Sequence, residues 1–240
     1  MTDQLDDVRT ANPRLGEPVL DNPTWASLTG PHARFAEING QAGRYQEDVA
    51  GFVALADPDD PAAWRDLLTL LGPGREFGLS GAITPPPGWE ILLRMPGVQF
   101  VDTDLRAEPD PEAVRLGAAD VPEMLDLVAR TQPGPFRQRT VELGNYLGIR
   151  RDGVLVAMAG ERMHPPGWTE ISAVCTDAAF RGQGLATRLV RAVAAGIRER
   201  GETPFLHTAA HNTTAIRLYE SIGFSLRGET TFAGLRTPAA

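Results

Sequence analysis

The chain has 240 residues and no lysine: all 23 basic residues are arginine. That excludes chemistry run through a lysine amine, such as a Schiff base or a pyridoxal phosphate anchor. It also excludes a P-loop, which needs a Gly-Lys-Ser/Thr sequence. There is one cysteine, so no internal disulfide can form. No apolar run approaches the roughly 20 residues of a membrane span. The opening stretch, MTDQLDDVRTANPRL, lacks the basic head and apolar middle of a signal peptide. These absences predict a cytoplasmic protein with no membrane partner, and no metal is expected. Net charge is −8 and no dense basic run occurs. Nucleic acid is therefore a poor partner, because its binding depends on phosphate neutralisation.

What is present reads as a soluble α/β chain. The first 30 residues are rich in Pro, Asn and Asp and read as an arm. Residues 31–105 read as an α+β half. In it ARFAEI and GFVALA suit strands, with a polar segment between them. DDPAAWRDLLTLLG suits a helix with Asp60 as N-cap, Pro61 first and Gly72 just past the end. REFGLSGAI, WEILLRM and VQFVDT read as further strands, broken by TPPPG and PG turns. A polar, proline-bearing linker follows, DLRAEPDPEA.

Residues 106–240 show a clearer pattern. AVRLG suits a strand, DVPEMLDLVART a helix capped by Asp120, and RTVELG a second short helix. A hairpin turns at Asp152-Gly153. TEISAVCTD, PFLHTA and FSLRGETTFAGL suit strands, while helices run from about Gly184 to Arg200 and through NTTAIRLYESIG. The expected order is β-α-α-β-β-β-α-β-α-β.

The sharpest motif is FRGQGLATRLV. It follows a strand and opens a helix, where free N–H groups and the helix dipole favour an anion such as pyrophosphate. A dinucleotide fingerprint is rejected: the spacing is G-x-G-x-A, late in a mostly hairpin-connected sheet. The remaining pattern is Arg-x-x-Gly-x-Ala, filled by Arg181, Gly184 and Ala186. Downstream, PFLHTAAHNTTAIRLYESIGF places Asn212 and Tyr219 about two helical turns apart on one face.

Both motifs, in this order, resemble the GNAT superfamily of acetyl-CoA-dependent N-acetyltransferases over residues 106–240. The resemblance implies a mixed, mostly antiparallel central sheet flanked by helices. Two parallel strands splay apart, and the pantetheine arm lies between them. Backbone groups of Val174, Cys175 and Thr176 would pair with that arm. The turn of Arg181, Gly182, Gln183, Gly184, Leu185, Ala186 and Thr187 would hold the pyrophosphate, with Asn212 at the next helix start. Tyr219 would touch the cofactor and act as general acid on the leaving thiolate. Glu170 is a candidate base, on the expectation of a half-buried carboxylate with a raised pKa. His207 is a lesser candidate. Cys175 has no activating base nearby, so direct transfer is expected over a covalent acyl-enzyme.

The implied reaction moves an acetyl group from acetyl-CoA to the amine of a small molecule or peptide. The alternative is a non-catalytic acyl-CoA-binding module that kept the loop. The chain is expected to be a monomer or homodimer. The N-terminal half, which lacks both motifs, is expected to be a degenerate GNAT-like half that packs on the active one and shapes the acceptor pocket.

Overall fold

The computed structural model describes residues 13–81 and 83–239. Within the expected N-terminal arm, residues 13–30 form short helical turns and helix α1 (Pro23–Leu28). They are pinned by their apolar side chains: Leu15, Leu20 and Leu28 are all buried. The remainder of the expected arm, residues 1–12, lies outside the described residues.

Strands β1 (Ala36–Asn39), β2 (Ala42–Tyr45) and β3 (Val53–Leu55) form a small antiparallel sheet. β2 occupies the polar segment from which the sequence predicted no strand. The alternation hid it, since Arg44 stands between the buried Gly43 and Tyr45. Arg44 reaches Glu37 of β1 through Nε at 2.8 Å. ARFAEI is a strand only from Ala36 onward; Ala33–Phe35 is a 3-10 turn. Helix α2 (Pro61–Leu71) starts and stops as the sequence predicts. The Asp60 carboxylate accepts the Ala62 N–H at 2.8 Å, and Gly72 ends the helix at φ 81°.

The main sheet has eight strands. They are β4 (Glu76–Ser80), β5 (Glu90–Asp102), β6 (Val114–Leu116), β7 (Tyr146–Arg151), β8 (Val154–Glu161), β9 (Trp168–Thr176), β10 (Thr203–Ala209) and β11 (Phe224–Arg236). Their spatial order is β4-β11-β5-β10-β9-β8-β7-β6. Only β9 and β10 run parallel; the other neighbours are antiparallel. WEILLRM and VQFVDT are not two strands but one, β5. Pro96-Gly97 is no turn, because β11 lies along β5 from Glu90 to Asp102 and holds it extended. The sheet crosses the expected boundary at residue 105: β4 and β5 precede it, and β5 sits between β10 and β11.

Helices α4 (Leu185–Glu199) and α5 (Thr213–Ser221) share a core with one face of this sheet. Leu189, Val193 and Ile197 pack with Phe100, Val156, Ile171 and Leu206. Helix α3 (Val121–Thr131) packs with a different cluster, setting Met124 and Leu127 among Tyr146, Leu155, Met158 and Cys175. Each such side chain contributes roughly 1.5–3 kcal/mol on burial. Asp120 precedes α3 but does not cap it. Its carboxylate accepts the Gly117 N–H at 2.9 Å and pairs with Arg150 at 2.7 Å. RTVELG is a 3-10 turn, Thr140–Leu143, rather than an α-helix.

The linker is strapped to α4 by arginines. Arg188 grips Asp110 with two bonds of 2.6 and 2.8 Å, Arg191 meets Glu108 at 3.4 Å, and Arg198 grips the buried Asp102 at 2.7 and 2.8 Å. The sequence partners descend as the helix residues ascend, so the linker runs antiparallel to α4. Bidentate Arg–carboxylate pairs of this kind fix geometry as well as charge.

Candidate active site

The site begins where β9 and β10 part. Their parallel pairing runs from Trp168 with Thr203 to Ile171 with Leu206 and ends there. Beyond that point β9 continues to Thr176 and β10 to Ala209 without pairing to each other. On its other edge β9 carries a bulge. Met158 faces Cys175 but Gly160 faces Ser172, so β9 holds one extra residue. Ala173 sits in it at φ 53°. A left-handed alanine costs roughly 1–2 kcal/mol. Strain of this kind clusters at active sites and ligand clamps, which makes this bulge a candidate position.

Val174, Cys175 and Thr176 lie on this diverging stretch. The Thr176 hydroxyl is buried and, among the described residues, has no hydrogen-bond partner, an unsatisfied polar atom of the kind that calls for a ligand or water. Cys175 is buried and burial pushes its thiol pKa up. A thiol so placed is a poor nucleophile.

The turn after β9 is exposed from Arg181 to Gly184. Gly182 and Gly184 have φ 77° and 74°, and a Cβ built on either would meet nothing within 4 Å. Their role is therefore backbone conformation and open approach, not packing. Gly184 is the N-cap of α4 and brings no side chain to the first N–H groups. Leu185 anchors the helix start in the core, and Ala186 and Thr187 are half-buried behind it. Arg181 turns back, its Nε donating to the Thr176 carbonyl at 3.4 Å. Gln183 is exposed on the same turn. Bare N–H groups, a helix dipole and open space suit a pyrophosphate, so this stretch fits coenzyme A.

Asn212 caps α5, its Oδ1 accepting the Ala215 N–H at 3.2 Å. Tyr219, on the same helix, packs against Phe100 and Phe224. Burial raises its pKa to about 12. The phenol therefore keeps its proton at neutral pH. Among the described residues its hydroxyl has no hydrogen-bond partner.

Glu170 differs from the expected half-buried, raised-pKa carboxylate. It is fully buried. Arg162 holds both its oxygens at 2.7 Å, and His207 Nδ1 lies 2.7 Å from Oε1. Burial alone would raise its pKa, but the Arg162 charge and the hydrogen bonds from Arg162 and His207 outweigh that and hold it at about 2. A carboxylate so stabilised is a weak base. The sequence could not expose this, because Arg162 lies in the turn after β8 and carries no motif. The same holds for Gln99 and Arg227, which extend the polar row beyond His207.

Among the described residues no group of three His, Cys, Asp or Glu side chains is arranged to hold a metal ion. No described helix is long and apolar enough to cross a membrane.

Comparison with known proteins agrees with this geometry. The FR47-like protein family matches residues 146–233. The N-alpha-acetyltransferase RimI of Mycobacterium tuberculosis is 32% identical over 133 residues, covering 50% of this chain and 83% of that protein. A mycothiol acetyltransferase of Thermomonospora curvata is 32% identical over 183 residues, covering 74% of this chain but only 58% of its own length. A crystal structure of a GNAT-family protein from Novosphingobium aromaticivorans is 41% identical, with a TM-score of 0.84, over 93% of this chain and all of that one. Strand order, bulge, splay and relatives together lead to one conclusion: the chain belongs to the GNAT family of acetyltransferases.

Proposed function

We propose that the protein transfers an acetyl group from acetyl-CoA to an amine on a small molecule or peptide, by direct attack. The observation that carries this is the splay of β9 from β10, followed by a helix that holds the buried phenol of Tyr219, which has no hydrogen-bond partner among the described residues. Coenzyme A would supply an activated thioester. The turn 181–187 would hold its pyrophosphate through backbone N–H groups, and Val174 to Thr176 would pair with its pantetheine arm. The Tyr219 hydroxyl protonates the leaving sulfur. Backbone N–H groups freed by the bulge polarise the acyl carbonyl. Cys175 stays outside the chemistry, in keeping with its buried, raised-pKa thiol.

The N-terminal half would shape the acceptor side. It is tied to the 139–143 turn of the catalytic half: the Arg139 N–H donates to the Asp48 carbonyl at 2.9 Å, and the Thr140 hydroxyl to the Val49 carbonyl at 2.6 Å.

Two measurements test the proposal. Coenzyme A should raise the melting temperature and give a calorimetric binding isotherm; neither response would end the coenzyme reading. Tyr219→Phe should lower kcat by about 10²-fold or more with acetyl-CoA affinity nearly intact. Unchanged turnover would remove Tyr219 from the mechanism.

A further inference from the structure

Five side chains form one hydrogen-bonded row across four neighbouring strands and the turn beside them. Arg162 clamps Glu170 of β9, and Glu170 meets His207 Nδ1 of β10 at 2.7 Å. His207 Nε2 lies 2.9 Å from Gln99 Nε2 of β5, and Gln99 Oε1 accepts from Arg227 of β11 at 2.9 Å. Arg227 in turn meets Asp21 at 2.6 Å. The donors and acceptors in this row are fixed. Arg227 can only donate, so it needs Gln99 Oε1. Gln99 Nε2 also donates to the Leu20 carbonyl at 3.0 Å, so the amide faces one way. It therefore donates to His207 Nε2 as well. An ionised Glu170 can only accept, so the imidazole hydrogen is on Nδ1. Nε2 presents its lone pair.

The row has a definite side. Side chains alternate along strands. Ile171 and Leu206 join the core beneath α4 and α5, with Tyr219. Trp168 and Phe205 join a different cluster with Leu15, Leu20 and Val101. Glu170 and His207 share that second face. His207 follows Leu206, the last β10 residue paired to β9. It thus stands at the mouth of the splay, on the face opposite Tyr219.

From this geometry we infer that His207 Nε2 is the proton acceptor for the incoming amine, and that Glu170 is the positioning residue that fixes its tautomer. The inference rests on the acetyl-transfer reading above. The acceptor ammonium takes the place of the Gln99 N–H and gives one proton to Nε2. The freed nitrogen lone pair forms the C–N bond to the acyl carbon. The C–S bond breaks with its electron pair on sulfur, which takes the Tyr219 hydroxyl proton. The second amine proton returns to the phenolate, and the imidazolium releases its proton to solvent. Base and acid then work from opposite faces of the gap. The charged groups around His207 are Glu170 from β9, Arg162 from the β8–β9 connection, Arg227 from β11 and Asp21 from the lead-in.

The test compares His207→Gln with the parent enzyme across pH, on an amine acceptor identified with acetyl-CoA by thiol release. At neutral pH kcat/KM should fall at least tenfold. At a pH above the acceptor's own pKa the two should converge, because the free amine then needs no base. Glu170→Gln should show the same convergence. The coenzyme-induced melting shift should be unchanged in both variants, which reports folding and cofactor binding independently of turnover. Imidazole nitrogen NMR of the free protein should find the His207 hydrogen on Nδ1. A loss in His207→Gln that is equal at all pH values, no loss at all, or the hydrogen on Nε2 would each overturn the role of His207. Binding of coenzyme A with no turnover of any amine by the parent enzyme would instead overturn the acetyl-transfer reading itself.

Discussion

Acidification should loosen the packing of β2 against the 140–143 turn through one buried histidine. His32 is 4% exposed. Its Nδ1 lies 2.9 Å from the Tyr45 hydroxyl and its Nε2 3.1 Å from the Leu143 carbonyl. Burial, and then the neighbouring His164, lower its pKa from 6.5 to about 4. The folded state therefore disfavours the proton that the unfolded chain accepts below pH 6.5. Stability from this residue is complete above that value and is lost as pH falls toward 4. At 1.36 kcal/mol per pKa unit, the full loss is about 3 kcal/mol, of which roughly 2 kcal/mol is gone by pH 5. His164, whose ring centroid is 4.9 Å away, is also lowered by burial and adds in the same direction. Glu170 acts in a separate window. Its pKa is depressed from 4.5 to about 2, so its contribution is retained above 4.5 and lost below. Guanidinium unfolding at pH 7.5, 6.5, 5.5 and 5.0 therefore isolates the histidines. The parent protein should lose midpoint steadily across this range at constant m. His32→Gln keeps an N–H for the Leu143 carbonyl and should flatten most of the slope. A parent midpoint that stays level to pH 5, or an equal slope in the variant, would refute the reasoning.

Three further outcomes follow from particular contacts. Arg162→Met leaves Glu170 buried and unpaired on its main side, and should cost about 3–5 kcal/mol in chemical denaturation; a loss below 1 kcal/mol would show that His207 alone suffices. Gly184→Val forces a β-branched residue to φ 74° at the start of α4, and calorimetry should find coenzyme A affinity at least tenfold weaker with the fold retained. Arg198→Leu removes the charge partner of the buried Asp102 carboxylate and leaves it the Leu105 N–H, and should lower the melting temperature without changing the coenzyme dissociation constant.

The glycine turn before α4 and the Tyr219 helix were legible because their signals are local. Gly182 and Gly184 answer to backbone conformation, Asn212 to the N–H three residues on, and Tyr219 to helical spacing. Asp60 and Gly72 bound their helix for the same reason. β2 and the continuous β5 were missed, because their state depends on partners far away in the sequence. Pro96-Gly97 reads as a turn until β11 lies beside it.

By itself the sequence determined the family and the reaction class, and made Tyr219 the candidate acid. The missing lysine removed the P-loop, and two ordered motifs pointed to a thioester beside a phenol. Tertiary structure alone decided the environment of Glu170. Its ordinary glutamate identity is overridden by Arg162 and His207, brought to 2.7 Å by two different chain segments. Burial and charge at such distances set a proton's affinity, and no residue carries that information alone.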